Sequence, residues 1–125
     1  MNAKIENLNQ DDLVECAELY ADAFKEPPWE ETWSTEDAFE RLNNFLACPN
    51  TIALKRVENN RILGFLIGET QQWNDSRLFY LKEICVNGKN QRKGVGKSLI
   101  RNLTQQPPAK AGGLKLRTES PDTGR

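Results

Sequence analysis

Histidine is absent from all 125 residues. That excludes Ser-His-Asp triads, histidine metal ligands and the imidazole base that titrates nearest neutral pH. Cysteine is scarce: Cys16, Cys48 and Cys85 are odd in number and widely spaced. Such spacing reads as buried thiols in a reducing compartment, with neither a disulfide framework nor a metal site. No apolar stretch approaches the ~20 residues that span a bilayer. No basic-then-apolar leader opens the chain, so the expectation is a cytoplasmic protein with no membrane partner. A net charge of −1 and an apolar fraction of 38% fit neither a general nucleic-acid binder nor a disordered chain.

Charge of one sign is missing from whole stretches. Residues 1–40 carry twelve Asp and Glu against only Lys4 and Lys25, while the remainder carries six acids and fifteen bases. No acid occurs between Glu83 and Glu119, whereas Lys89, Arg92, Lys93, Lys97 and Arg101 cluster there. A bipolar chain of this kind suits an enzyme with an anionic partner on one side and a cationic one on the other.

The basic cluster coincides with Gln91-Arg-Lys-Gly-Val-Gly-Lys-Ser98, which follows the apolar run Leu78–Val86. Val95, Leu99, Ile100 and Leu103 then recur at helical spacing. A strand, a glycine-containing turn and a helix N-terminus form an anion-binding device, because first-turn N–H groups have no intrahelical acceptor. Two motifs compete for it. A P-loop, G-x-x-x-x-G-K-[ST], would need glycine at position 91, which is Gln91. The pattern Q/R-x-x-G-x-G/A fits Gln91, Gly94 and Gly96 without adjustment.

The length predicts a single domain over residues 1–125. Lys4–Leu8 reads as a strand, and Asn9 caps a helix beginning near Asp11, with Leu13, Cys16, Ala17, Tyr20 and Phe24 on its core face. After the break at Glu26-Pro-Pro-Trp-Glu-Glu-Thr-Trp33, Ser34 starts a second helix with Asp37 as the partner in a capping box. Thr51–Val57 and Arg61–Glu69 flank the hairpin signal Glu58-Asn-Asn60. Gln71–Arg77 is expected to be a polar loop, Gln105–Gly113 a connection and Leu114–Thr118 a last strand. The order is β-α-α-β-β-β-α-β, an α/β fold with a mixed sheet.

This order, together with Phe79-Tyr-Leu-Lys-Glu-Ile-Cys-Val86 before the motif and Lys97-Ser-Leu-Ile100 after it, resembles the GNAT superfamily of acetyl-CoA-dependent N-acetyltransferases. The resemblance implies transfer of an acetyl group from acetyl-CoA to an amine, with no metal. It implies that Gln91, Arg92, Lys93, Gly94, Val95, Gly96, Lys97 and Ser98 hold the pyrophosphate of coenzyme A, with Ser98 adding a hydroxyl. It places the pantetheine arm along the backbone of Ile84, Cys85 and Val86, as an added strand would lie. Cys85 has no activating base beside it in sequence and reads as packing.

Only a neutral amine attacks a thioester, so a proton must leave. The resemblance makes Glu83 the candidate base, directly or through water; the alternative is a strand glutamate paired with Lys82 or another base. It also makes the segment between the first two helices a wall of the acceptor site. There Trp29, Trp33, Glu30 and Glu31 offer aromatic faces and carboxylates to a polyamine, an amino sugar or a peptide amine. The alternative for the tryptophans is stapling of the loop to the core. The family continues past its fifth strand with a helix bearing a tyrosine proton donor and two more strands, whereas this sequence ends at Arg125. The corresponding expectation is a C-terminally incomplete domain with no proton donor, since only Tyr20 and Tyr80 exist. A bare fifth strand, with Leu114 and Leu116 poorly covered, would then favour a homodimer. A non-catalytic module that binds coenzyme A, or an inactive fragment, is the alternative function.

Overall fold

The computed structural model describes residues 3–74, 76–103 and 114–118. Its elements run β1 (Lys4–Asn7), α1 (Leu13–Lys25), α2 (Thr35–Leu46), β2 (Thr51–Glu58), β3 (Arg61–Trp73), β4 (Ser76–Val86), α3 (Val95–Leu103) and β5 (Leu114–Thr118). The five strands form one sheet in the order β1-β2-β3-β4-β5, with β5 parallel to β4 and the other pairs antiparallel. This is the expected mixed sheet in the expected order. The connection over residues 105–113 and the side chains of Leu114 and Leu116 lie outside the described residues.

Each face of the sheet carries its own core. On one side α1 contributes Leu13, Cys16, Ala17, Tyr20 and Phe24, and α2 contributes Ala38 and Leu42, packed on Ala53, Phe65, Ile67 and Cys85. On the other, Val95, Leu99 and Leu103 of α3 pack on Leu54, Leu66, Phe79 and Leu81. The stripes read for α1 and α3 are the faces that bury, with Ile100 half-buried at the edge.

Local chemistry sets the boundaries. Asn9 accepts from the Asp11 N–H at 3.0 Å, and the Asp12 carboxylate accepts from the Asn9 N–H at 2.9 Å, so the reciprocal capping box sits here, on a 3-10 turn ahead of α1. At α2, Ser34 Oγ accepts from the Asp37 N–H at 3.0 Å, with no return bond from the Asp37 carboxylate. That end is a simple cap rather than the box expected. Asn59 and Asn60 both take left-handed conformations (φ 54° and 63°), which the two-residue turn between β2 and β3 requires.

One expectation fails in large part. Residues 71–73 and 76–77 are strand and not loop: β3 and β4 continue as paired strands to Trp73↔Ser76. Backbone ladder bonds hold this hairpin beyond the core, so its side chains need not be apolar. Arg77 bridges it by donating to Thr70 Oγ1 at 2.8 Å and Gln72 Oε1 at 3.3 Å.

The central irregularity of the sheet lies on β4. Ile67 pairs with Glu83 but Gly68 pairs with Leu81, so Lys82 is an extra residue, a β-bulge. Side chains alternate across a strand, and one extra residue reverses the faces beyond it. Phe79 and Leu81 therefore face α3, while Glu83 and Cys85 face α1 and α2. The described pairing with β5 runs from Arg77↔Leu114 to Leu81↔Thr118, stopping at the same point.

Candidate functional site

The end of β4 borders a narrow apolar slot of about 210 Å³, lined by Ala23 and Phe24 of α1, Trp29, Ile84, Cys85, Val86 and Gln91. The slot thus joins the strand segment expected to carry pantetheine, the first residue of the glycine motif and one of the two loop tryptophans. Trp29 is fixed there by an edge-on contact with Phe24, ring centroids 5.1 Å apart. It also borders a wider groove of about 1040 Å³ between the end of α1, the tip of the β2–β3 hairpin and residues 87–91. Asp22, Glu26 and Glu58 face that groove, with Arg61 and Lys89.

Between β4 and α3 the chain turns through two linked devices. Asn87 donates its N–H to the Leu63 carbonyl at 2.8 Å, and its side chain accepts from the Lys89 N–H at 2.8 Å. Gln91 Nε2 then donates back to the Val86 carbonyl at 3.3 Å, closing the turn onto β4. Arg92 and Gly94 both have left-handed backbones, φ 66° and 83°. Gly94 accepts the first helical bond, from the Ser98 N–H at 2.9 Å. The N–H groups of Val95, Gly96 and Lys97 therefore emerge at the helix start without intrahelical acceptors. A Cβ at Gly94 would stand in open space, and one at Gly96 would meet Ile84 Cδ1 at 3.6 Å and Val86 Cγ2 at 3.8 Å. Arg92, Lys93 and Lys97 are exposed around it. Backbone donors, the positive end of a helix dipole and cations thus lie together at this turn, the chemistry that suits an anionic group.

Ser98 behaves differently from expectation. Its hydroxyl donates to the Val95 carbonyl at 2.7 Å and accepts from Arg56 Nη1 at 2.8 Å, so its proton is committed within the protein. Val95 is buried in the core under α3 and offers only its backbone N–H.

Glu83 is 2% exposed, facing the helices. Its Oε2 accepts from the Tyr20 hydroxyl and from Arg41 Nε, both at 3.0 Å. The partner of Glu83 is thus a base from α2, while its sequence neighbour Lys82 pairs with Glu69 at 3.5 Å. Burial works against the Arg41 charge, but the hydrogen bond and attraction of Glu83, helped by Tyr20, outweigh it and raise the Arg41 pKa. The Arg41 guanidinium lies 4.9 Å from the Phe45 ring centroid and 5.9 Å from that of Trp33. Trp33 stands edge-on to Tyr20 and donates to Glu31 Oε1 at 2.8 Å.

The four expected acceptor residues therefore separate. Trp29 reaches the slot, Trp33 and Glu31 belong to the Tyr20–Arg41–Glu83 cluster, and Glu30 is exposed in a left-handed conformation (φ 49°). Arg41 and Arg56 carried no local signal, because each matters through a neighbour dozens of residues away.

Neither buried thiol is poised to react. Burial, then the charges of Asp12 and Glu15, push the Cys16 pKa up from 9.0 to about 12, with Lys55 opposing. Burial, then Glu83 and Cys16, push Cys85 up further. Cys85 stays a thiol at neutral pH, consistent with packing. Among the described residues, no three Cys, Asp or Glu converge where a metal could bind, and no helix is long and apolar enough to cross a membrane.

The family model described as the acetyltransferase (GNAT) family matches residues 13–124. No curated protein matches the chain. An aminoglycoside acetyltransferase from an uncultured soil metagenomic sample, solved with sisomicin, superposes with TM-score 0.68 at 23% identity, over 96% of this chain and 78% of that one. A ribosomal-protein-alanine N-acetyltransferase from Brucella melitensis biovar Abortus 2308 gives 0.71 at 20% identity, over 96% and 82%. An aminoglycoside N-acetyltransferase, AAC(6')-Iy, solved with CoA, gives 0.69 at 15%, over 97% and 78%. At such identities the structures share a fold, and the family match covers nearly the whole chain. The chain belongs to the acetyltransferase (GNAT) family, whose members draw on acetyl-CoA.

Proposed function

We propose that this acetyltransferase moves the acetyl group of acetyl-CoA to a primary amine on a cationic acceptor, by direct attack within a ternary complex. The observation that carries the reading is the slot itself, where Ile84–Val86, Trp29 and Gln91 meet, a few residues before the α3 N–H groups that have no intrahelical acceptors. Acetyl-CoA supplies an activated thioester. Gly94 shapes the turn so that the N–H groups of residues 95–97 face the pyrophosphate, and Lys93 and Lys97 add charge. The backbone of Ile84–Val86 offers ladder partners to the amide-bearing arm. Phe24 and Trp29 exclude water from the reacting end. Cys85, kept protonated, forms no acyl intermediate, so the amine itself attacks.

Glu83 is proposed to draw off the amine proton. Its burial makes that a relayed transfer through water, while Arg41 and Tyr20 hold the carboxylate in place. The wide groove beside Trp29 is the acceptor entrance, and Asp22, Glu26 and Glu58 suit a polyamine, an amino sugar or a peptide amine. The neighbours named for aminoglycoside and ribosomal-protein acetylation support an amine acceptor.

Calorimetric titration with CoA tests the placement of the site. An alanine at Gly96 keeps ordinary contact distances to Ile84 and Val86, so the fold tolerates it, and a helical Gly→Ala change stabilises by about 0.5–1 kcal/mol. Gly96→Ala is therefore expected to be slightly more stable yet weaker for CoA, and Gly96→Val to weaken CoA at least tenfold, about 1.4 kcal/mol. Unchanged CoA affinity in folded Gly96→Val protein would refute the site.

A further inference from the structure

Arg56 lies on β2, directly between Ile5 of β1 and Gly64 of β3. Its Nη1 donates to Ser98 Oγ, and that hydroxyl donates onward to the Val95 carbonyl, so the arginine is tied to the first turn of α3. Its Nε is buried with no hydrogen-bond partner. Nor does the guanidinium form an ion pair with any described carboxylate. The charges at the turn it touches share its sign. The start of α3 is the positive end of the helix dipole, and Lys93 and Lys97 flank the same turn. A part-buried cation at this point is costly unless an anion joins it.

We propose that Arg56 is a positioning residue of the coenzyme A site. It locks Ser98 onto the Val95 carbonyl beneath the turn, and its charge takes the bound pyrophosphate as counter-ion. The inference rests on the reading that the Gln91–Ser98 turn holds that pyrophosphate. It also explains why the Ser98 proton is turned inward: the hydroxyl serves the arginine below and not the ligand above.

The test is calorimetry on the full chain with two ligands, CoA and acetyl-pantetheine, which lacks the pyrophosphate. Arg56→Met is expected to weaken CoA about tenfold and to flatten the salt dependence of CoA binding. Acetyl-pantetheine affinity should stay at the wild-type value, which a merely structural loss would not allow. Arg56→Lys should recover most of the CoA affinity by restoring the charge. Should Arg56→Met not fold, Arg56→Gln removes the charge while keeping a donor and carries the same comparison. CoA affinity within twofold of wild type in the neutral variants, or equal losses for both ligands, overturns the proposal. If those variants bind CoA normally while Gly96→Val does not, only the role of Arg56 fails. If the wild-type chain binds no CoA, both readings fall.

Discussion

Glu83 shows how one buried carboxylate ties two helices to a strand. Its Oε2 gathers donors from α1 and α2 through Tyr20 and Arg41, which fixes both helices to β4. Replacing it with glutamine leaves the Arg41 guanidinium without its charge partner. Since the Arg41 side chain is 36% exposed, solvent softens the loss, and a destabilisation of about 1–2 kcal/mol is expected. If Glu83 also relays the amine proton, Glu83→Gln lowers turnover most at low pH, where unassisted amine is protonated, and leaves acetyl-CoA affinity unchanged. Denaturant unfolding alongside a pH–rate profile separates the two effects. Lost stability with an unaltered profile would confine Glu83 to structure.

The buried thiols give a second residue-scale prediction. Cys16 is raised to about 12 and Cys85 is raised as well, so above pH ~9 the unfolded chain loses thiol protons that the folded chain keeps. Fewer protons bound in the unfolded state means that stability falls as pH rises, by about 1.4 kcal/mol per pH unit for each thiol. Below that range the stabilisation is fully present. Urea unfolding at pH 8 and pH 10 should show the loss, and Cys16→Ala should reduce it. A pH-independent midpoint over that interval would contradict the burial of these groups. Cys48, exposed on the surface, should react with a thiol reagent in the native state before either of the others.

At the scale of elements, the glycines tell where strands and helices come closest. A Cβ at Gly64 would lie 2.9 Å from both the Cys85 carbonyl oxygen and Val95 Cγ1. Gly64→Ala is therefore expected to push α3 off the sheet, costing about 1–3 kcal/mol and weakening CoA binding by shifting the turn. Denaturant unfolding and CoA titration check both parts; a variant as stable as wild type would show that α3 does not rest on β3 there. At Gly68 a Cβ would collide with the Phe79 ring and the Tyr80 carbonyl, next to the bulge at Lys82.

The same elements show what could be read in advance. Helical stripes on α1 and α3, the Asn59–Asn60 turn and the glycine motif were legible because periodicity, left-handed turns and helix starts are written in local sequence. The long β3–β4 hairpin was not, since the stretch 71–77 looks like a loop while ladder bonds hold residues 71–73 against 76–78. Nor was the bulge, which no residue type announces, although it decides which face Glu83 and Cys85 occupy. The partners Tyr20 and Arg41 lie 63 and 42 residues from Glu83, beyond any local signal. The slot was half legible: Ile84–Val86, Trp29 and Gln91 were expected, whereas Phe24 read as core and proves to be both core and wall.

For the whole molecule, the uneven charge of the sequence leaves its clearest trace at the start of α3. Arg92, Lys93 and Lys97 are exposed there, while the wide groove mixes Asp22, Glu26 and Glu58 with Arg61 and Lys89. In the proposed reading an anionic cofactor meets the basic turn and a cationic acceptor meets the acids of the groove, and both converge on Trp29, which borders both spaces. The most direct test follows the thiol released from acetyl-CoA by the purified chain, with and without a polyamine, an aminoglycoside or an amine-terminated peptide, and weighs the intact protein after acetyl-CoA alone. The account predicts release that requires both substrates and a protein mass with no acetyl adduct on Cys85. Thiol release independent of any amine, or an acetylated enzyme that goes on to turn over, would contradict direct transfer.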